Sequence, residues 1–413
     1  MAKFPLWQPK LGHLHKLFCR ERHSGTIPKI WTIYLFFFCK IAAKYGRIAA
    51  LTGIQGDDLF ITHKKARKGL LLGAMLLLLT GTNCMAIILH TDTEPAASDI
   101  PDPNIVGRWW HSNSIGYNAS CVAIARNLVI TTAHQNIVTD SNGIVTSKVE
   151  IGNITYSIDQ YWTTGDIRIA KLSHANLNAY VQLYRDSNEA EKEIVIGGYG
   201  RPRGITLLTG ESPYGYTWES SSNTTLRFCT NMIDAVDADK VLADFDDLPQ
   251  NMRNDRQISD HKPTAFEGTV AEFDSGCGWF VDDGVWKLAG LTWQVETHQP
   301  IPGQIEAWFR TPGLLLLNPD DIFAWRISTY QEWIDGVITS LPSCTYVETD
   351  LDDNCIIDEG DLLIFAGQWL KTDCGPLNNY CQGADFDRIN GVNIADFATL
   401  ASDWLNTYPP PEE

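Results

Sequence analysis

Through the middle of the chain, apolar residues come in short runs separated by turn residues, and this pattern predicts strands. Residues 121–125, 128–132, 166–172, 194–196 and 285–293 are such runs, rich in Val, Ile and Leu and flanked by Gly, Asn and Asp. Short runs with no long helical pattern between them predict an antiparallel barrel or sandwich from about 105 to 325. The period then changes. Across 327–338, Tyr330, Trp333, Ile334 and Val337 recur at helical spacing, which predicts a closing helix.

Residues 344–408 repeat internally. Asp350, Asp352 and Asp361, followed by Leu362, Phe365, Trp369 and Leu370, recur 35 residues on as Asp385, Asp387 and Asp396, followed by Phe397, Leu400, Trp404 and Leu405. Each copy predicts an acidic loop and a short helix, with Leu362, Phe365, Trp369, Phe397, Leu400 and Trp404 forming a core between the helices. The tail 409–413 reads as disordered. Between 91 and 104, prolines among Asp, Ser and Ala predict a linker.

The front, 1–90, has another character. A basic cluster at 63–68 precedes an almost continuously apolar stretch at 70–79, and Cys84, Met85 and Ala86 offer small residues for cleavage. That is the layout of a secretory signal. An uncleaved anchor over 70–89 is the alternative reading, long enough to span a bilayer. Lipid modification of Cys84 is disfavoured by Thr82 and Asn83 before it. The run 30–38 is too short to span, and residues 1–60 are unusual for a signal; initiation nearer Leu59 would account for them. Either reading, through residues 64–86, predicts a secreted or cell-surface protein.

Charge supports this division. The net charge of −18 combines 13 Lys/Arg against 3 Asp/Glu over 1–90 with an acidic remainder, which argues against nucleic acid as a partner. Export also changes how the cysteines read. Cys121, Cys229, Cys277, Cys344, Cys355, Cys374 and Cys381 are expected to form disulfides, with one left over. Cys355 paired with Cys374 or Cys381 would staple the small C-terminal module.

Hydrolysis by a serine hydroxyl needs an imidazole to take its proton and a carboxylate to fix the imidazole tautomer. His134 directly follows the run 128–132, Asp166 heads the run 166–172, and Ser275 lies in a Gly-containing turn before 279–281. Asp159 and Asp140 are rivals to Asp166.

On these residues the chain resembles the trypsin-like, chymotrypsin-fold serine peptidases over 105–338. Thr132-Ala133-His134 is similar to that family's TAAH segment, and Asp166-Ile167 with Ala170 to its DIAL segment. Asp274-Ser275-Gly276 is similar to the centre of GDSGG, and Thr292-Trp293 to its SW strand. The resemblance implies two six-stranded antiparallel β-barrels in a mainly β domain at 105–340. It implies catalysis by His134, Asp166 and Ser275 without a cofactor, and an oxyanion hole from the N–H groups of Phe273 and Ser275. Thr269, Thr292, Trp293 and Gln294 would contact a protein or peptide substrate, and Asp274 would position the Ser275 loop. Three departures stand out. Phe273 and Cys277 replace glycines, Cys277 being a candidate disulfide partner, and Gln135 follows the His where the family often has Cys. Ile105-Val106-Gly107 resembles the new N-terminus of activated members, but only 29 residues separate it from His134.

The acidic repeats carry EF-hand ligand spacing, in which the first, third, fifth, seventh, ninth and twelfth loop positions bind calcium and the seventh does so through its carbonyl. These fall on Asp350, Asp352, Asn354, Ile356, Asp358 and Asp361, then on Asp385, Asp387, Ile389, Gly391, Asn393 and Asp396. Ile389 lacks a side-chain oxygen, so Asn390 or further carbonyls would serve there. Asp in the twelfth position and the loop–helix shape resemble dockerin repeats. That resemblance implies a small α-helical module at 344–408, two Ca2+ sites and a cohesin-type partner. Two function classes follow: a serine endopeptidase with a calcium-dependent attachment module, or an inactive pseudo-peptidase that binds partners.

Overall fold

The computed structural model describes residues 87–112, 115–219, 224–248, 262–296, 306–312, 319–342 and 346–408. The signal expected at 64–86, residues 70–86 of the alternative anchor and the tail at 409–413 lie outside these residues, and no described helix is long and apolar enough to cross a membrane.

Six strands form a closed barrel: Val106–Ser112 (β1), Gly116–Ala125 (β2), Leu128–Thr132 (β3), Lys148–Ile151 (β4), Ile154–Thr164 (β5) and Ile167–Leu172 (β6). The ladder runs β1-β2-β3-β6-β5-β4 and returns to β1. Every residue of β3 and β6 is buried, including the polar Thr131, Thr132, Arg168 and Lys171, which lie among the Val, Ile and Leu of these two strands. Burying each Val, Ile or Leu of this core contributes about 1.5–3 kcal/mol.

The second sheet contains Glu193–Gly198 (β7), Arg227–Met232 (β8), Ala235–Val236 (β9), Lys240–Asp244 (β10), Gly278–Asp282 (β11), Trp286–Glu296 (β12) and Asp321–Arg326 (β13). Its path is β8-β7-β11-β12-β13-β10-β9, with Gln182–Leu183 added in parallel to β12. The expected second six-stranded barrel is therefore corrected to a half-barrel. The reason lies at residues 233–234, where Ile233 N still donates to Lys192 O but Asp234 N donates to Leu242 O. The chain changes neighbours there, so β8 and β10 share no ladder. A side chain spans the gap, with Asn231 Nδ2 donating to Asp244 O at 2.6 Å and to Gly268 O at 2.9 Å. A closed barrel followed by a half-barrel, in a mainly β chain, resembles the chymotrypsin fold.

The folded body begins before residue 105. Ile88–Leu89 pairs antiparallel with Gly268–Thr269, and Ile87, Ile88 and Leu89 are fully buried. Residues 203–218 form a hairpin that Glu306–Trp308 extends to three strands. Helix Ile327–Ser340 (α1) runs two residues beyond the expected end and buries Ile334 and Val337 against the barrel core.

In the C-terminal segment, Glu359–Gln368 (α2) and Ile394–Ser402 (α3) each start with a capping box, Asp358 with Asp361 and Asn393 with Asp396. Ile357 and Val392 occupy equivalent places in the two loops. Ile357 exchanges backbone hydrogen bonds with the segment after α3, and Val392 does so with the segment after α2. The two copies thus cross-brace each other. Phe365 and Leu400 are buried as expected, with Leu351, Ile357 and Val392 added from the loops. Trp369 and Trp404 remain 40 % and 38 % exposed, so the apolar stripe is core only at its inner end. The disulfide joins Cys374 to Cys381; Cys355 is disulfide-bonded elsewhere, which corrects the expected pairing with either of them. Asp353 of the first loop reaches the barrel, 3.4 Å from Lys171 Nζ and 3.5 Å from Arg126 Nη1.

Candidate active site

His134 follows β3 and Asp166 precedes β6. Because β3 and β6 are neighbours, with Thr132 opposite Ile167, the two meet at one end of the barrel. Ala133 N donates to Asp166 O at 2.8 Å. His134 N donates to Asp166 Oδ1 at 2.6 Å, and the ring Nδ1 lies 2.7 Å from Oδ2. Trp325 Nε1 donates to the same Oδ2 at 3.2 Å. Burial raises the Asp166 pKa, but the hydrogen bonds and charge of His134, with the indole donor, outweigh it and hold the carboxyl below its usual value. The rivals are placed otherwise. Asp140 accepts from Asn142 N and Ile144 N within its own turn, and Asp159 is exposed on β5.

Ser275 comes from the second sheet. Its carbonyl accepts from Ser120 N at 2.9 Å, and Thr131 Oγ1 donates to Ser120 O at 2.7 Å. A Cβ on Gly276 (φ +79°) would sit 2.2 Å from Thr131 Oγ1, so only glycine allows the turn this close to β3. The Ser275 turn is thereby seated on the strand that leads to His134. No hydrogen bond joins Ser275 Oγ to His134 among the described residues; His134 Nε2 lies 3.5 Å from Thr132 Oγ1 instead. Such contacts are often long before substrate binds.

The backbone N–H groups of Phe273 and Ser275 have no protein acceptor among the described residues, as an oxyanion hole requires. Phe273 adopts φ +78°, a left-handed conformation strained for a bulky residue, with Arg201 over its ring at 5.2 Å. Asp274 anchors the turn from beneath. It is fully buried, accepts from Gly200 N at 2.6 Å and Ala271 N at 2.9 Å, and burial pushes its pKa up to about 7.

The substrate-contact candidates divide. Gln294 is exposed and Trp293 half-buried, and a register shift leaves Trp293 out of the pairing with β13. Thr292 is buried, its Oγ1 accepting from Trp279 Nε1 and 2.9 Å from Cys277 Sγ. That contact also corrects the expectation of a disulfide at Cys277. It is a buried thiol, as are Cys121 and Cys229, and burial raises all three pKa values. Thr269 is fully buried opposite Ile88.

A second candidate site lies in the C-terminal loops. Carboxylate oxygens of Asp350, Asp352 and Asp361 lie within 4.8 Å of one another, as do those of Asp385, Asp387 and Asp396. Burial, then neighbouring carboxylates, raise the pKa of Asp350 to about 6, against two backbone donors. The cluster is thus short of positive charge, the condition a divalent cation relieves. Asn354 accepts from Ile356 N, and Asp358 and Asn393 cap their helices. Ile356, Ile389 and Gly391 could offer a cation only backbone oxygens. Side-chain pattern alone gave no sign of Trp325, Gly200 or Ser120, which act through long-range contacts.

No family model matches the chain, and no curated protein matches it. Among solved structures it is similar to HBP at atomic resolution, at 16 % identity over 60 % of this chain and 96 % of that one, with a TM-score of 0.36. A mutant of human heparin binding protein matches at 17 % identity over 58 % and 94 %, with a TM-score of 0.35. Likeness at this level decides nothing about activity.

Proposed function

We propose that this chain is an exported serine endopeptidase acting through His134, Asp166 and Ser275. The observation that carries this reading is the 2.7 Å contact between His134 Nδ1 and Asp166, together with a Ser275 turn that is hydrogen-bonded to β2 at Ser120 and packed through Gly276 against Thr131 of β3, the strand that leads to His134. In this mechanism Asp166 keeps the His134 proton on Nδ1, leaving Nε2 free as base. The ring turns from Thr132 toward Ser275 as substrate binds. Ser275 Oγ attacks the peptide carbonyl, and Nε2 takes the hydroxyl proton and passes it to the leaving amine. The Phe273 and Ser275 N–H groups stabilise the oxyanion. Water, activated by His134, then releases the acyl group. The unpaired Trp293 backbone offers an edge for extended substrate, with Gln294 beside it.

The repeats at 344–408 fit a dockerin-like module holding two Ca2+ ions. Asp350, Asp352, Asn354, Asp358 and Asp361 with the Ile356 carbonyl would hold one; Asp385, Asp387, Asn393 and Asp396 with the Ile389 and Gly391 carbonyls would hold the other. Calcium would neutralise the clustered carboxylates, and a cohesin-type domain is the partner this reading implies. A second reading, an inactive binding protein, is favoured by the strained Phe273 in the oxyanion turn. Peptide hydrolysis by the purified protein separates the two. Activity lost in Ser275→Ala supports the endopeptidase; activity unchanged in that variant, or absent from the parent, overturns it.

A further inference from the structure

We infer that Trp325 is a positioning residue that holds the Asp166 carboxylate from the opposite sheet, a role that rests on the His134–Asp166–Ser275 reading. Among the described residues, only three groups donate to that carboxylate: His134 N, His134 Nδ1 and Trp325 Nε1. The first two belong to the residue that Asp166 must orient. Trp325 is the one independent restraint, and it bonds the same Oδ2 that faces the imidazole.

No side-chain hydroxyl donates to that carboxylate among the described residues. Thr292 Oγ1 is engaged by Trp279 Nε1 and Cys277 Sγ in the core of the second sheet. The indole, in contrast, is fixed on several sides. Trp325 lies on β13, in register with Leu291 on one side and Lys240 on the other. Its ring centroid lies 5.1 Å from that of Trp293 and 6.3 Å from that of Tyr330, which it meets edge to face, with Lys240 Nζ 5.3 Å away. A ring so enclosed has little freedom to turn its N–H away.

The chemistry suits the task. An indole N–H is a donor only and stays neutral at every working pH, so it favours the ionised carboxylate without titrating. Hydrogen bonds to charged groups are the stronger kind. Because Asp166 belongs to the barrel and Trp325 to the half-barrel, this bond also fixes the base relative to the sheet that carries Ser275.

The test is Trp325→Phe, which keeps an aromatic ring and removes the N–H. Benzothienylalanine at position 325, which replaces the N–H by sulfur at almost constant shape, serves if the Phe variant fails to fold. The expected result is a fall of about 10- to 100-fold in kcat with KM changed less than about twofold. It is accompanied by loss of the low-field proton resonance of His134 Nδ1, assigned by its absence in Asp166→Asn. Retention of both kcat and the resonance overturns the inference, because packing alone then explains Trp325. If the parent hydrolyses nothing but the resonance still depends on the indole N–H, the positioning role stands and the peptidase reading fails.

Discussion

Asp274 should govern how stability depends on pH. Its carboxyl is fully buried between the N–H groups of Gly200 and Ala271. Burial raises its pKa from 3.8 to about 7, and the two donors only partly oppose this. The native state therefore holds the Asp274 proton more tightly than the unfolded chain does. The resulting stabilisation is fully present below the unfolded value, is lost as pH rises, and is gone above about 7. Those two values lie about three pH units apart, and each unit corresponds to about 1.4 kcal/mol, so the loss is ~4 kcal/mol. Asp274→Asn keeps an acceptor for Gly200 N but cannot titrate. Urea unfolding of both proteins between about pH 4 and 7 isolates the effect, since other buried acids such as Glu267 cancel in the difference. The parent should lose ~4 kcal/mol more than the variant across that window. Parallel stability curves for the two proteins refute the argument.

Other consequences follow from the same contacts. Gly200→Ala places a Cβ 2.0 Å from Asp274 Oδ2, so it should cost more than about 2 kcal/mol and reduce hydrolysis, both readable from denaturation and peptide assays. Removing residues 87–90 deletes three fully buried apolar side chains, a loss of about 5–9 kcal/mol that should prevent a stable fold when tested by calorimetry. Chelation should abolish the helical signal of α2 and α3 in circular dichroism of the C-terminal repeats while leaving peptide hydrolysis intact; identical spectra with calcium and with chelator contradict the calcium reading. Calcium titration should show Asp361→Ala weakening binding more than Asp358→Ala, because Asp361 is fully buried in the cluster while Asp358 accepts from Gly360 N at the helix start.

Local pattern carried much of this fold. The strand β3 was legible because burial on both sides leaves the run Leu128-Val129-Ile130, β6 because Ile167, Ile169, Ala170 and Leu172 remain apolar around Arg168 and Lys171, and α1 because its apolar residues keep helical period. The two loop–helix repeats were legible because the same residues recur at a fixed interval. Long-range pairing was not. Nothing in the short run Ile87, Ile88 and Leu89 indicates that its partner is Gly268–Thr269, and the opening of the second sheet depends on where the chain changes neighbours at Ile233. His134, Asp166 and Ser275 could be picked out as candidates by order and local context. Trp325 could not, since its contact with Asp166 spans 159 residues and arises only when the two sheets meet. Cys277 misled because the expectation of export favoured disulfides, whereas the fold surrounds its thiol with Thr292 and buried apolar neighbours.

The central claim is that Ser275 is an activated nucleophile. Its most direct test is to treat the folded protein with a fluorophosphonate and locate the adduct by peptide mass spectrometry. The account predicts one phosphonylated residue, Ser275, with labelling abolished in Ser275→Ala and sharply slowed in His134→Ala. A folded protein that takes no label, or takes it at another residue with Ser275 untouched, contradicts it.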